Sequence, residues 1–452
     1  RLTIPMKRSK TEGDRPVDES RAKIKSFLSK HGMFHADISI ERTCELFLDE
    51  MGKGLTGAKS SLAMLPTYIE TERELPRNKP VIVMDAGGTN FRVGTVCFKD
   101  QGDPEIADFR VFPMPGIKKE VSREHFFGTM AGYVADIIGR SESVGFCFSY
   151  PIEMSPNKDG RVLYFSKEIK APEVEGTMIG EGLNAAIVES TSSDAKRMVL
   201  LNDTVATLLA GRGTSDGRNY DSYIGFILGT GTNTAYIEAN RNIAKAKGLD
   251  TARSQIVNVE SGGFGKAPRG DIDEQFNAAS ANPGINTFEK MISGAYLGPL
   301  CLATIRRAAE EGLFAKSVAA KLLAIKETTT KDISEFLSRP ESSDNVLGKV
   351  LAGADGDLTA VYFLVDALIE RAAKLTATNL SSAAIKSGKG RNPCRPVCIV
   401  AEGTTFYHLK GLRPKVEYYL KQYLVDQKNI YYEIVSVDNA TLIGAAIAGL
   451  TN

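Results

Sequence analysis

The sequence contains no tryptophan, only four histidines and only six cysteines, and it has no excess of either charge. Its 56 basic residues nearly cancel its 55 acidic ones, so no broad field is available to condense on nucleic acid or an anionic membrane. Nucleic acid is not an expected partner, and any anion must be bound locally. No apolar run approaches the roughly 20 residues needed to span a bilayer, and the polar N-terminal stretch lacks the apolar segment of a secretory signal. The expectation is a cytoplasmic protein with no membrane segment. Cys44, Cys97, Cys147, Cys301, Cys394 and Cys398 are scattered, mostly inside apolar runs, which suits a reducing compartment better than a disulfide framework. Cys394 and Cys398, the one close pair, have no matching zinc ligands nearby. His31 and His35 share a helical spacing but lack the glutamate of a zinc hydrolase helix, and are read as surface or capping residues.

What is present is a globular composition. At 452 residues, 42% hydrophobic and 25% charged, the chain can bury a sizeable core and exceeds the size at which one core keeps growing. Two lobes with a cleft between them are expected. Residues 1 to about 18 are polar and read as a mobile arm. Two helices follow, one burying Ile24, Phe27 and Leu28, the other starting after Ser39 and running past Met51 to a glycine-rich stop. After a charged linker at 70–80, Val81 to Met84 and Val93 to Phe98 read as strands around a glycine turn. The same unit recurs as Tyr223 to Leu228, a glycine turn, and Thr234 to Glu238. Both turns end in Gly-Thr-Asn, which hints at two related lobes. Further strands are expected at Ser143–Phe148, Met198–Leu201, Val397–Val400 and about 430–437. Helices are expected at 123–138, 177–189, much of the chain beyond 287, and after Asn439. Alternating strands and helices predict an α/β architecture.

Two glycine turns carry the first chemical signal. In Asp85-Ala86-Gly87-Gly88-Thr89-Asn90-Phe91-Arg92, a carboxylate ends an apolar strand, and glycines let backbone N–H groups approach an anion. This fits a phosphate-binding hairpin with Asp85 near Mg²⁺, or a tight turn capped by the aspartate. Gly229-Thr230-Gly231-Thr232-Asn233 poses the same choice. Neither turn has the spacing of a Walker A loop or a dinucleotide fingerprint, and each leads into a strand rather than a helix. Asn202-Asp203-Thr204 lies between a strand and a helix. Asp203 there is either the cap of that helix or a carboxylate poised to take a proton from an attacking hydroxyl. Lys167, Glu260 and Glu289 are uninformative singly.

These segments occur in the order of the hexokinase family, and from about residue 40 onward the sequence resembles a eukaryotic-type hexokinase or glucokinase. The resemblance runs through Ser61–Tyr68, Asp85–Arg92, Phe146–Pro151, Leu200–Ala210, Gly225–Glu238, Asn258–Gly265, Ser280–Gly284 and Phe288–Gly298. It implies a two-lobed, actin-like sugar kinase fold with ribonuclease H-like cores and an active site in the cleft between the lobes. The implied lobes are 1–73, an N-terminal helical part of the large lobe; 74–200, the small lobe; 201–439, the large lobe; and 440–452, a helix returning to the small lobe. It implies Asp203 as catalytic base, with Lys167 also catalytic. Hexose contacts fall on Ser166, Lys167, Asn202, Asn233, Glu260 and Glu289, with Ser149 and Pro151 in the sugar-side loop. The ATP side falls on Asp85, Gly87, Gly88, Thr89, Asn90 and Arg92, on Gly229, Thr230 and Gly231, and on Gly403 and Thr404. Asp85 would act on Mg²⁺ through water.

The implied activity is transfer of the γ-phosphoryl group of ATP to the 6-hydroxyl of glucose or a related hexose. Another sugar, such as fructose, mannose or an amino sugar, or a catalytically silent sugar sensor, are the alternatives. The protein would be a monomer or a homodimer. The chain departs from the family at Ser261, where tryptophan is usual, and at Phe165, Ser166 and Glu168 around the sugar-loop lysine. It departs again at Glu402, where aspartate is usual, and at Asn439–Gly444, where a glycine-rich segment is usual.

Overall fold

The computed structural model describes residues 14–165, 169–191, 193–213 and 218–452. Strands β1 (Leu65–Pro66), β2 (Pro80–Gly87), β3 (Asn90–Cys97), β4 (Glu105–Pro113) and β5 (Ser143–Phe148) come first. The small hairpin β6 (Ile152–Met154) and β7 (Gly160–Val162) and then β8 (Arg197–Leu201) follow. The later half of the chain adds β9 (Ser222–Leu228), β10 (Thr232–Ala239), β11 (Ser254–Asn258), β12 (Val397–Glu402) and β13 (Tyr432–Val435).

One sheet has the order β4-β3-β2-β5-β8 and the other β1-β11-β10-β9-β12-β13. Apart from β1, both follow one plan. An antiparallel glycine hairpin, β2–β3 or β9–β10, has a further antiparallel strand on one side and two parallel strands on the other. The inner strands are apolar because both faces are covered: Val81 to Ala86 of β2 are all buried. Strand β4, which the sequence did not suggest, is an edge strand with Phe109 and Val111 exposed, so it lacks the apolar run of an inner strand.

Seven helices frame these sheets: α1 (Asp14–Lys30), α2 (Ile40–Thr56), α3 (Arg123–Val134), α4 (Ile179–Thr191), α5 (Asp203–Gly213), α6 (Asp355–Ser387) and α7 (Ala440–Thr451). Further helices, the longest of them Leu297–Glu310, fill 271–351 and 404–420. Helix α2 is capped by the Ser39 hydroxyl, which accepts the Arg42 N–H at 3.2 Å, and it stops at Gly57 with φ of 81°. Helix α1 begins at Asp14, within the stretch read as a polar arm, because its charged first turns precede the buried face formed by Ile24, Phe27 and Leu28. His31 corrects the reading of a surface histidine: it is buried, with Nδ1 2.9 Å from Asp271 and Nε2 2.9 Å from Glu311. In the middle of α6, the buried Arg371 forms a two-armed ion pair with the buried Asp273, whose Oδ2 also accepts the Gly270 N–H at 2.8 Å.

The decisive packing lies between the sheets. Helix α5 follows β8 of the first sheet but packs on β9 of the second; α7 follows β13 of the second sheet but packs on β5 and β2 of the first. The two swapped helices cross each other. At three layers the backbones approach so closely that a side chain is excluded. A Cβ at Gly145 of β5 would lie 1.7 Å from the Ala445 carbonyl oxygen, one at Gly444 of α7 1.9 Å from that of Ala206, and one at Gly225 of β9 2.2 Å from that of Thr204.

Gly444→Ala is therefore expected to destabilise the protein by about 3 kcal/mol, the upper range for overpacking, in urea unfolding. A change under about 1 kcal/mol would mean that the helices have room to separate.

Candidate active site

The swapped helices bring the N-terminal ends of α5 and α7 into the crevice between the sheets. There, two cavities share a wall. The inner cavity, ≈ 520 Å³, is lined by Ser149, Pro151, Asn202, Asp203, Asn233, Glu260 and Glu289 among the expected sugar contacts. The outer one, ≈ 390 Å³, is lined by Asp85, Gly87, Gly88 and Arg92 of the first hairpin, with Glu402 and Thr441. Asp203 and Ser149 line both. A third cavity, ≈ 500 Å³, includes Thr230 and Thr404 together with Thr330, Ser334 and His408.

Of the two readings of Asp203, the helix cap falls to its neighbour. Asn202 takes the cap position, its Oδ1 accepting the Thr204 N–H at 2.9 Å. Asp203 Oδ1 accepts the same N–H at 2.7 Å and the Thr204 hydroxyl at 3.2 Å, so the first turn of α5 holds the carboxylate at the junction of the two cavities.

The inner cavity has a built polar floor. Asn233 Nδ2 donates to Asn258 Oδ1 at 2.7 Å and to Glu260 Oε1 at 3.2 Å, and Asn258 Nδ2 donates to the same Glu260 oxygen at 2.8 Å. Glu260 itself is left-handed, with φ 56° and ψ 51°, a costly backbone state for a non-glycine residue and one that gathers at functional sites. Glu289 accepts the Thr232 N–H at 2.9 Å, and a Cβ at Gly231 would lie 2.6 Å from its Oε2. The second glycine turn is thus pressed against a sugar-side carboxylate.

Thr89 and Asn90 are exposed at the tip of the first hairpin and line neither cavity. Gly229 is tied back through its carbonyl to the Gly294 N–H and the Thr405 hydroxyl, both at 2.8 Å, and Gly403 packs against Leu228 and Gly229. Ser166 and Lys167 lie outside the described residues.

Several wall residues escaped the sequence reading. Ser61 lines the inner cavity and is held by the buried Glu50, which accepts its N–H at 2.7 Å and its hydroxyl at 2.8 Å. Its hydroxyl oxygen in turn accepts the Gly265 N–H at 2.9 Å. Thr441 donates its hydroxyl to Asp85 Oδ2 at 2.9 Å. Neither residue type signals a site in sequence; the Ser61–Tyr68 segment was the available cue. Ser261, standing where tryptophan is usual in the family, is fully buried and bonds the Thr234 hydroxyl at 3.2 Å, which also receives the Asn379 amide of α6 at 2.8 Å.

Carboxylates dominate the electrostatics. Burial pushes the Asp85 carboxyl above its usual range, and the charge of Asp203 adds to this, while the Thr441 hydroxyl and Arg92 oppose it. Glu260, open to the cavity but enclosed by protein, is raised by desolvation and by Asp203 and Glu289. Burial raises Glu289 and Glu402 as well. Among the described residues no cluster of three or more acidic, histidine or cysteine side chains could hold a metal directly. Asp85, Asp203 and Glu402 on one wall, with Arg92 beside them, do fit a divalent cation that keeps most of its water and shares a nucleotide's phosphates.

Two repeated α/β sheets, each with a glycine hairpin at a crevice floored by carboxylates and amides, define a two-lobed protein of the sugar kinase fold. Comparison with known proteins narrows the class. Two hexokinase family profiles match, one over residues 25–212 and one over 223–451, and the chain belongs to the hexokinase family. It is 29% identical to hexokinase-2 of Equus caballus over 388 residues, 80% of this chain and 42% of that protein. It is 28% identical to human hexokinase-1 over 385 residues, 81% of this chain and 41% of that protein. The chain thus spans less than half the length of these curated relatives. A solved hexokinase from Schistosoma mansoni, complexed with glucose, shares the fold with a TM-score of 0.75 at 23% identity, over 96% of this chain and 100% of that one.

The raised carboxyl of Glu289 has a consequence for stability. Its charged form is penalised in the fold, so the penalty is present above the raised folded value and disappears as pH falls through it. Glu289→Gln, which retains an acceptor for the Thr232 N–H, is expected to raise Tm near pH 8, with a gain that shrinks as pH falls through the raised value to the ordinary glutamate value of 4.5, where the parent carboxyl carries its own proton. A gain independent of pH across that range would contradict the assignment.

Proposed function

We propose that this protein transfers the γ-phosphoryl group of ATP to the 6-hydroxyl of glucose or a related hexose. The observation that carries the reading is the position of Asp203 on the wall common to a cavity lined by amides and carboxylates and a cavity lined by a glycine hairpin. Asn202, Asn233, Glu260 and Glu289 offer both donors and acceptors at set positions, which suits a polyhydroxylated ring and disfavours substrates that leave them unpaired. That a related solved hexokinase carries glucose supports a hexose as the occupant.

On this reading the lobes are 74–200 with 440–452, and the remainder. Hexose in the inner cavity draws them together and expels water that would otherwise accept the phosphoryl group. Asp203 orients the 6-hydroxyl and takes its proton late in the transfer, an aspartate being a weak base near neutrality. The N-terminal ends of α5 and α7 and the amides of the first hairpin favour the phosphates. Mg²⁺ bound with ATP would supply charge neutralisation across the phosphates, held through water by Asp85. Lys167 keeps the role the family resemblance implies, neutralising charge on the transferring oxygens. Thr230 and Thr404, in the third cavity, serve the nucleoside side. The scattered cysteines of the sequence support a reducing, cytoplasmic setting.

The test is an assay with glucose and MgATP that reads ADP and sugar phosphate together, extended to fructose, mannose and glucosamine. Stoichiometric ADP and hexose 6-phosphate are expected; ADP without sugar phosphate would reduce the activity to an ATPase. Asp203→Ala is expected to lower kcat by ~10²-fold or more, on the scale of removing a general base. Turnover at the parental rate would remove Asp203 from the mechanism.

A further inference from the structure

Ser61, on the wall of the inner cavity, has a hydroxyl whose bonding capacity can be counted to the last lone pair. It lies in the loop between α2 and β1, half-buried, beside Ala63, Gly263 and Asn286. A serine hydroxyl has one proton to give and two lone pairs to receive with. Here the proton goes to Glu50 Oε2 at 2.8 Å, and one lone pair takes the Gly265 N–H at 2.9 Å. One lone pair is left on a residue that lines the cavity. The loop is tied down by the same carboxylate, since the Ser61 N–H donates to Glu50 Oε2 at 2.7 Å, and by the Ser60 hydroxyl, which donates to the Glu50 carbonyl oxygen at 2.8 Å. A Cβ at Gly263 would lie 2.8 Å from the Ser61 carbonyl oxygen, and one at Gly262 3.2 Å from the Cβ of Glu289. Two adjacent glycines thus seat the serine next to a carboxylate of the expected sugar contacts.

We infer that Ser61 is a sugar-binding residue that accepts a hydrogen bond from one ring hydroxyl of the hexose and selects for a donor at that position, with Glu50 as the positioning residue that fixes its hydroxyl. The inference rests on the hexose kinase reading above and adds to it a contact outside the expected set. The argument is one of donor direction. An unconstrained serine hydroxyl rotates and serves as donor or acceptor; one whose proton is committed to a carboxylate can only accept. Glu50 supplies that commitment. Burial alone would raise its carboxyl, but the Ser61 N–H, the Ser61 hydroxyl and Lys53 more than offset this and hold it below its usual range. It is therefore ionised, and a hydrogen bond to an ionised acceptor is of the strong kind. Turning the Ser61 proton toward a ligand would take a donor from a carboxylate that is only 4% exposed, which is costly. A relay from sugar hydroxyl to Ser61 to Glu50 runs in one sense, and each bond in it polarises the next. Ser61 thus rejects a hexose that has no donor at the facing carbon.

The experiment measures Kd by calorimetry, without nucleotide, for glucose and for its derivatives deoxygenated or fluorinated at each ring position in turn, in the parent, Ser61→Ala and Glu50→Gln. Ser61→Ala is expected to weaken glucose binding about fivefold, the worth of one net hydrogen bond. It should weaken the derivatives likewise, except the pair altered at one position, for which parent and variant agree within about twofold because the bond is already missing. Carbon-bound fluorine accepts but does not donate, so the fluorinated member of that pair behaves as the deoxy one. Glu50→Gln, which keeps the shape and removes the charge, is expected to give a smaller loss with the same pattern, and it provides the reading should Ser61→Ala not fold. A loss spread evenly over every derivative, or no loss for glucose, overturns the inference and leaves the kinase reading intact. A parent that binds none of these sugars overturns both.

Discussion

Backbone contacts too close for a Cβ hold the molecule together at its centre. Gly145 against Ala445, Gly444 against Ala206 and Gly225 against Thr204 stack a strand, a helix, a second helix and a second strand in contact. Each helix leaves one sheet and packs on the other, so neither sheet has a complete cover without the chain of its counterpart. The swap sets where both helices begin. Asp203 opens α5 and Thr441 lies in the first turn of α7, and both side chains line the outer cavity because the helices cross where they do. A hinge of ordinary side chains would have left more tolerance, and with it a less defined crevice.

The crevice gathers more negative charge than a resting protein favours. Asp85, Asp203, Glu260 and Glu289 stand near enough that burial and mutual repulsion raise the carboxyls of Asp85 and Glu260. Local partners compensate in part: Thr441 and Arg92 for Asp85, Asn258 and Asn233 for Glu260, the Thr232 amide for Glu289. The remaining imbalance suits ligands that bring hydroxyl donors to one cavity and a hydrated cation to the other. Stability is given up where binding needs it, and the left-handed backbone of Glu260 is a second instance.

Legibility of the fold followed burial. Strands β2, β5, β9 and β12 are inner strands and β8, at the end of its sheet, is buried all the same; their apolar runs announce themselves, and the Ser39 and Gly57 caps bound α2 in the same local way. The edge strand β4 and the short β6–β7 hairpin carry mixed residues without an apolar run, so nothing marked them as strands although each pairs with a near neighbour in sequence. The surface reading of His31 failed because its burial depends on Asp271 and Glu311, 240 and 280 positions away, which no local pattern reports.

For the site, the residue types and the two glycine turns were determined locally, because a strand ending in aspartate and glycines carries its turn chemistry within eight residues. The family resemblance supplied the names of the sugar contacts. Only the tertiary structure decided that Asp203 stands on a shared wall, that Glu50 steadies Ser61, and that Thr441 meets Asp85. Thr441 and Asp85 are 356 positions apart, and no periodicity or spacing reports such a distance. A sequence specifies which bonds a short segment can form; which of them meet across a crevice is settled when two sheets exchange helices and the backbone leaves them one way to pack.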